Sequence, residues 1–141
     1  MKRAIALAFA TLCAAVAACA AAPVGSAPDA PHPSDACIIL GLGQDASLGT
    51  QLDASLRPVL AGIATQSLPT TGYVCGDVTY QTDPQQRGLT YTALGFSADH
   101  RAANLVMQSV AGPLAGAGYR CLFQKNADGW ALRGCQMEWI S

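Results

Sequence analysis

Four cysteines, Cys37, Cys75, Cys121 and Cys135, lie beyond residue 36 of the chain, and whether they pair decides what it can fold into. The chain opens as an export signal: Met1-Lys2-Arg3, then an apolar stretch from Ala4 to Ala18 that ends in small residues. At ~1.5 Å per residue, about fifteen residues fall short of the roughly 30 Å hydrocarbon core of a bilayer, so the stretch reads as a signal rather than a span. An even number of cysteines in an exported chain is the mark of a disulfide framework, and four cysteines allow three connectivities. A four-cysteine zinc site is the competing reading, but such sites usually need a C-x2-C pair and the chain has none.

The C-terminal segment discriminates between the connectivities. Tyr119–Lys125 and Trp130–Ile140 flank Asn126-Ala127-Asp128-Gly129, which reads as a three-residue hairpin loop with Gly129 left-handed. In that register Lys125 faces Ala131, Phe123 faces Arg133 and Cys121 faces Cys135. Directly opposed residues at a non-hydrogen-bonded site have Cα atoms ~4.5 Å apart, within disulfide range. A four-residue loop would instead set Cys121 against Gly134. The register favours Cys121–Cys135, which leaves Cys37 with Cys75.

The remaining elements follow from apolar spacing. Cys37–Leu42 is a continuous apolar run and predicts a short buried strand. Leu48, Leu52, Leu56, Val59, Leu60 and Ile63 recur at helical spacing, with Pro58 kinking or splitting the helix. Tyr73–Thr82 alternates as one strand, Asp83-Pro84 starts a turn, and Leu89–Phe96 is a further strand. Ser97 or Asp99 is expected to cap a second helix that buries Ala102, Ala103, Val106, Met107 and Val110. The predicted order is β-α-β-β-α-β-β: an α+β domain over 37–141, with a largely antiparallel sheet, helices on one face and two disulfides.

The end of the export signal carries a more specific pattern. Val16-Ala17-Ala18-Cys19 resembles the lipobox of bacterial lipoproteins, an aliphatic residue and two small residues before an obligatory cysteine. The resemblance implies a signal peptide over 1–18 and acylation of Cys19, which becomes the first mature residue. More than one acyl chain is needed for stable anchoring. Ala20 rather than Asp follows Cys19, which in that family implies passage to the outer membrane, facing the periplasm. Simple cleavage, leaving a soluble periplasmic or secreted chain, is the alternative. Residues 19–36 are rich in Ala and hold Pro23, Pro28, Pro31 and Pro33 with no apolar period, so they read as an extended tether. His32 falls in it as a solvated residue.

Candidate chemistry is sparse. His100 is the one histidine of 37–141, beside Asp99 and Arg101, and reads as solvated at a helix start. No G-x-S-x-G nucleophile elbow, calcium loop or complete dinucleotide fingerprint occurs. Glu138 is the only glutamate, and Asp77 and Asp83 suit turns better than paired acid–base work. No catalytic residue, metal site or cofactor is expected, and enzymatic activity is not expected. Without Lys2 and Arg3 the chain carries 6 basic and 9 acidic residues, a net of −3, which weighs against nucleic acid, and no nucleic-acid partner is expected. The candidate binding residues are Trp130 and Trp139, of opposite parity on the last strand, with Arg120 and Arg133; tryptophan and arginine anchor protein interfaces. The expected role is a protein-binding module of inhibitor or immunity type in the periplasm. A structural or assembly accessory of an envelope complex is the alternative.

Overall fold

The computed structural model describes residues 33–141. The segments read as signal peptide and tether, with Cys19, lie outside the described residues up to residue 32. Helix α1 (Pro33–Asp45) begins within the segment read as tether. Its buried residues, Ala36, Ile39, Leu40 and Gly43, recur at the i, i+3, i+4, i+7 spacing of a helix, while Ile38 between them is 47% exposed. The strand expected at Cys37–Leu42 is therefore a helix. A continuous apolar run does not distinguish the two, and the stripe that does begins at Ala36, inside the proline-rich segment.

A five-stranded antiparallel sheet carries the molecule. Its strands are β1 (Gln66–Ser67), β4 (Gly88–Phe96), β5 (Ala102–Gly112), β6 (Ala115–Asn126) and β7 (Gly129–Ile140), and its order is β1-β4-β5-β6-β7. A separate hairpin joins β2 (Tyr73–Cys75) to β3 (Val78–Tyr80), splitting the single strand expected at Tyr73–Thr82 at Gly76-Asp77. The helix expected after Phe96 is the central strand β5. Ala102, Ala103, Val106, Met107 and Val110 do satisfy a helical spacing, but β4 and β6 pair with this segment on both sides, and tertiary pairing overrides a weak local preference. The helix expected over 48–63 is mostly irregular, with a single 3-10 turn (Ala54–Leu56) and a five-residue helix α2 (Arg57–Ala61) that Pro58 opens. Leu52, Leu60 and Ile63 nevertheless turn inward as their spacing requires. The class is α+β and mostly antiparallel, but the element order differs from the expected one.

The helices lie on opposite faces of the sheet rather than on one. On the first face α1 packs against Ala103, Leu105, Met107, Cys121 and Phe123. Gly43 permits that contact: a Cβ there would stand 2.6 Å from Leu105 Cδ2. On the second face Leu52, Leu60 and Ile63 cover Ala102 and Leu122. Asn104, fully buried, donates from Nδ2 to the carbonyls of Leu60 and Ile63 at 3.4 and 3.2 Å, tying the end of α2 to β5.

Two disulfides complete the framework. Cys37–Cys75 ties α1 to the β2–β3 hairpin with Cα atoms 5.6 Å apart, and Cys121–Cys135 bridges β6 and β7 with Cα atoms 4.0 Å apart. The second pairing is the expected one, reached by a different register. The turn is one residue tighter than expected, so Lys125 faces Trp130 and Phe123 faces Leu132, not Ala131 and Arg133. A bulge at Arg133 then restores the offset, and Cys121 meets Cys135. Gly134, at φ 141°, follows the bulge beneath the backbone of Leu52, where a Cβ would be 2.8 Å from the Leu52 Cα.

Candidate functional site

The alternation of β5 and β6 sorts the four candidate binding residues. Ala102, Asn104 and Leu122 face α2, so Val106, Gln108 and Val110 of β5, with Gly116, Gly118 and Arg120 of β6, share that second face. The α2 segment covers only the half of it nearest the β4–β5 and β6–β7 turns. Toward the other end no helix among the described residues covers the β5–β6–β7 surface.

Trp139 lies on that open half. It pairs with Gly118, and a second bulge, at Glu138, leaves its indole spread across two glycines. A Cβ at Gly118 would lie 2.1 Å from Trp139 Nε1, and one at Gly116 3.3 Å from the ring. Gly118 leaves room that no other residue could, Gly116 fits the ring closely, and the ring, 44% exposed, closes the gap that they leave in the sheet. Next to it Arg120 Nε stands 3.5 Å from Glu138 Oε2, with both side chains partly exposed. Val106 pairs with Arg120 from β5 and Gln136 from β7. The structure thus brings Trp139 and Arg120 together on one surface with Glu138.

Trp130 is elsewhere and buried. Its Nε1 donates to Asp35 Oδ1 at 3.1 Å, its ring meets Phe96 edge-on at 5.8 Å between centroids, and Lys125 Nζ lies 5.6 Å from its centre. Lys125 also reaches Asp35 at 3.7 Å. This cluster fastens the start of α1 to the β6–β7 turn, so Trp130 is a structural anchor rather than an exposed contact. Arg133, on its bulge, is exposed and donates to Gln124 Oε1 at 2.8 Å. The chain at Gln51-Leu52, which runs along the outer edge of β7 at Cys135 and over Gly134, separates it from Arg120 and Trp139. Beyond Cys135 that edge carries exposed Met137 and Ile140.

The segment expected to open a helix at Asp99-His100-Arg101 is the tight turn between β4 and β5. Ser97 Oγ is 2.6 Å from Asp99 Oδ1, the amide of Arg101 donates to the same carboxylate, and Ala102 N donates to Ser97 Oγ. These bonds hold the Asp99 carboxyl below its ordinary range, the Ser97 hydroxyl contributing most. They also hold His100 left-handed, at φ 53°. Asp53 is lowered in the same way by Ser55, whose hydroxyl and amide both bond its carboxylate at the start of the 3-10 turn. Burial, with Tyr80 and Asp45 adding repulsion, pushes the Tyr91 phenol well above its ordinary range.

No cluster of three or more His, Cys, Asp or Glu side chains able to hold a metal occurs among the described residues. The glycine bed of Trp139 and the His100 turn were not legible as sites beforehand. The signal for the bed is Gly116-x-Gly118 facing a tryptophan, and it becomes readable only once the β6–β7 register, bulges included, is known. Comparisons of the chain with protein-family models, with curated proteins and with solved structures gave no match.

Proposed function

We propose that the chain is an outer-membrane lipoprotein of the periplasm whose domain holds a protein partner, as inhibitors and immunity proteins do, on the open half of the sheet around Trp139 and Arg120. One observation carries this reading: the surface lies at the opposite end of the sheet, and on the opposite face, from the start of α1. The tether joins the domain beside Asp35, which is bonded to Trp130 at the β6–β7 turn on the α1 face. From Trp130 to Trp139 along β7, at ~3.3 Å per residue, is about 30 Å. A domain anchored through Cys19 would then keep its point of attachment and this surface about 30 Å apart, which leaves the surface free to meet a partner in the periplasm. A half-exposed tryptophan beside a paired arginine is the composition of an interface centre. Turnover is not part of this role: the titratable side chains of the open surface, Arg120 and Glu138, neutralise each other.

Site-specific photo-crosslinking in cells tests the proposal. A photoreactive residue replacing exposed Gln136, beside Arg120, is expected to yield one dominant protein adduct, lost when Trp139→Ser and Arg120→Glu are added. The same probe at exposed Gln44, near the end of α1, should not give it. Equal adducts from both positions would overturn the assignment of the surface, and a ladder of several envelope subunits would favour the accessory role.

A further inference from the structure

A second feature, independent of the open surface, lies at the other end of the molecule. Between the first turn of α1, strand β1 and the end of β4 is a cleft of ≈ 450 Å³. That volume is in the range of small-molecule sites. Leu68, Tyr73, Leu94 and Phe96 supply its apolar walls. Gln66, Ser67 and His100 supply its polar side chains.

His100 gives the cleft its chemistry. The Ser97–Asp99 bonds described above fix the turn, and the imidazole stands edge-on to Phe96 at 6.4 Å. Its Nδ1 is shielded from solvent and has no hydrogen-bond partner among the described residues. A shielded nitrogen with no acceptor within reach is least costly as a bare lone pair, because a buried N–H without an acceptor bears its full desolvation cost. With Nδ1 bare, Nε2 carries the N–H of the ring and is the donor that His100 can offer a ligand. The other polar side chains of the lining, the amide of Gln66 and the hydroxyls of Ser67 and Tyr73, can also donate. Among the described residues no carboxylate lines the cleft. An acceptor-only, anionic head group meets donors there and no like charge, while an apolar body meets Leu68, Leu94 and the rings.

We infer that this cleft is a binding site for a small apolar carboxylic acid, a medium-chain fatty acid or an arylalkanoic acid, whose carboxylate accepts from His100.

Titration with sodium octanoate below its micelle threshold, followed by amide and imidazole NMR shifts, tests the site. The full exported chain carrying Cys19→Ser serves, so that no lipid or detergent competes. Octanoate is expected to shift Tyr73, Phe96 and His100 saturably, whereas octylamine does not. His100→Asn keeps a residue tolerant of the left-handed conformation. It should weaken octanoate about tenfold, the loss of one charge-assisted hydrogen bond. Gln66→Glu, at an exposed position of β1, places a carboxylate at the rim and should invert the preference toward octylamine. Equal binding of octanoate and octylamine, no saturable shift at these residues, or unchanged octanoate affinity in a folded His100→Asn chain would each overturn the inference. None of these results depends on a protein partner at Trp139.

Discussion

Tyr91 and Asn104 show how the interior treats polar atoms. Tyr91 is 3% exposed, its ring edge-on to Tyr80 at 5.5 Å, and its hydroxyl has no partner among the described residues. Such a group bears a desolvation cost without return, so Tyr91→Phe should leave stability unchanged or raise it by up to about 1 kcal/mol. Asn104 is a mixed case: its Oδ1 also lacks a partner among the described residues, but its amide nitrogen is used. Its Nδ2 serves two backbone carbonyls where the α2 segment meets β5, and Asn104→Ala should cost about 1–3 kcal/mol. Urea unfolding of the oxidised chain measures both, and a loss above about 1 kcal/mol in Tyr91→Phe would mean that the phenol has a partner. At this scale the sequence was partly legible. The Cys121–Cys135 pairing was accessible, though through a register that the bulge at Arg133 corrects, and the opposite parity of Trp130 and Trp139 holds because the bulges at Arg133 and Glu138 cancel. The side chain of His100 was not, because its role comes from a left-handed turn that no local pattern announces.

Element identity was harder to read than element burial. Ile39 and Leu40 are inside, as an apolar run promises, but they are inside as the stripe of α1, with Ile38 turned out. Met107 and Ala103 are inside because β5 is the middle strand of five, a fact set by β4 and β6 rather than by residues 102–112 themselves. Leu52, Leu60 and Ile63 reach the core without a continuous helix, since Pro58 limits α2 to one short run. The two disulfides hold elements that pack to very different extents. Cys37–Cys75 closes a separation of 38 residues and fastens both α1 and the small β2–β3 hairpin. Cys121–Cys135 closes 14 residues within strands that the sheet already pairs. In the chain-entropy model the first is worth about 4 kcal/mol and the second about 3 kcal/mol. Replacing Cys37 and Cys75 by Ser should therefore destabilise more than replacing Cys121 and Cys135. Hydrogen exchange should also quicken in α1 and β2–β3 ahead of β5 and β6. Equal exchange across all elements would show instead that α1 is held by its packing alone.

At the scale of the whole molecule, the proposed anchor and the proposed interface are separated by construction. The start of α1 is fixed on one face by Asp35, Trp130 and Lys125, and the glycine-bedded Trp139 lies on the other face at the far end of β7. A proline-rich tether over 20–32, at the ~3.1 Å per residue of an extended chain, would add about 40 Å of reach. Anchoring and recognition should then be separable by mutation. Cys19→Ser is expected to move the protein from the membrane fraction to the soluble periplasmic fraction. The adduct formed from position 136 should keep its identity, because the lipid does not contribute to that surface. Retention of the Cys19→Ser chain in washed membranes would sink the lipid anchor while leaving the interface intact. Release accompanied by loss of the adduct would mean that the membrane itself presents the partner, and that the tether sets which partners the open half of the sheet can meet.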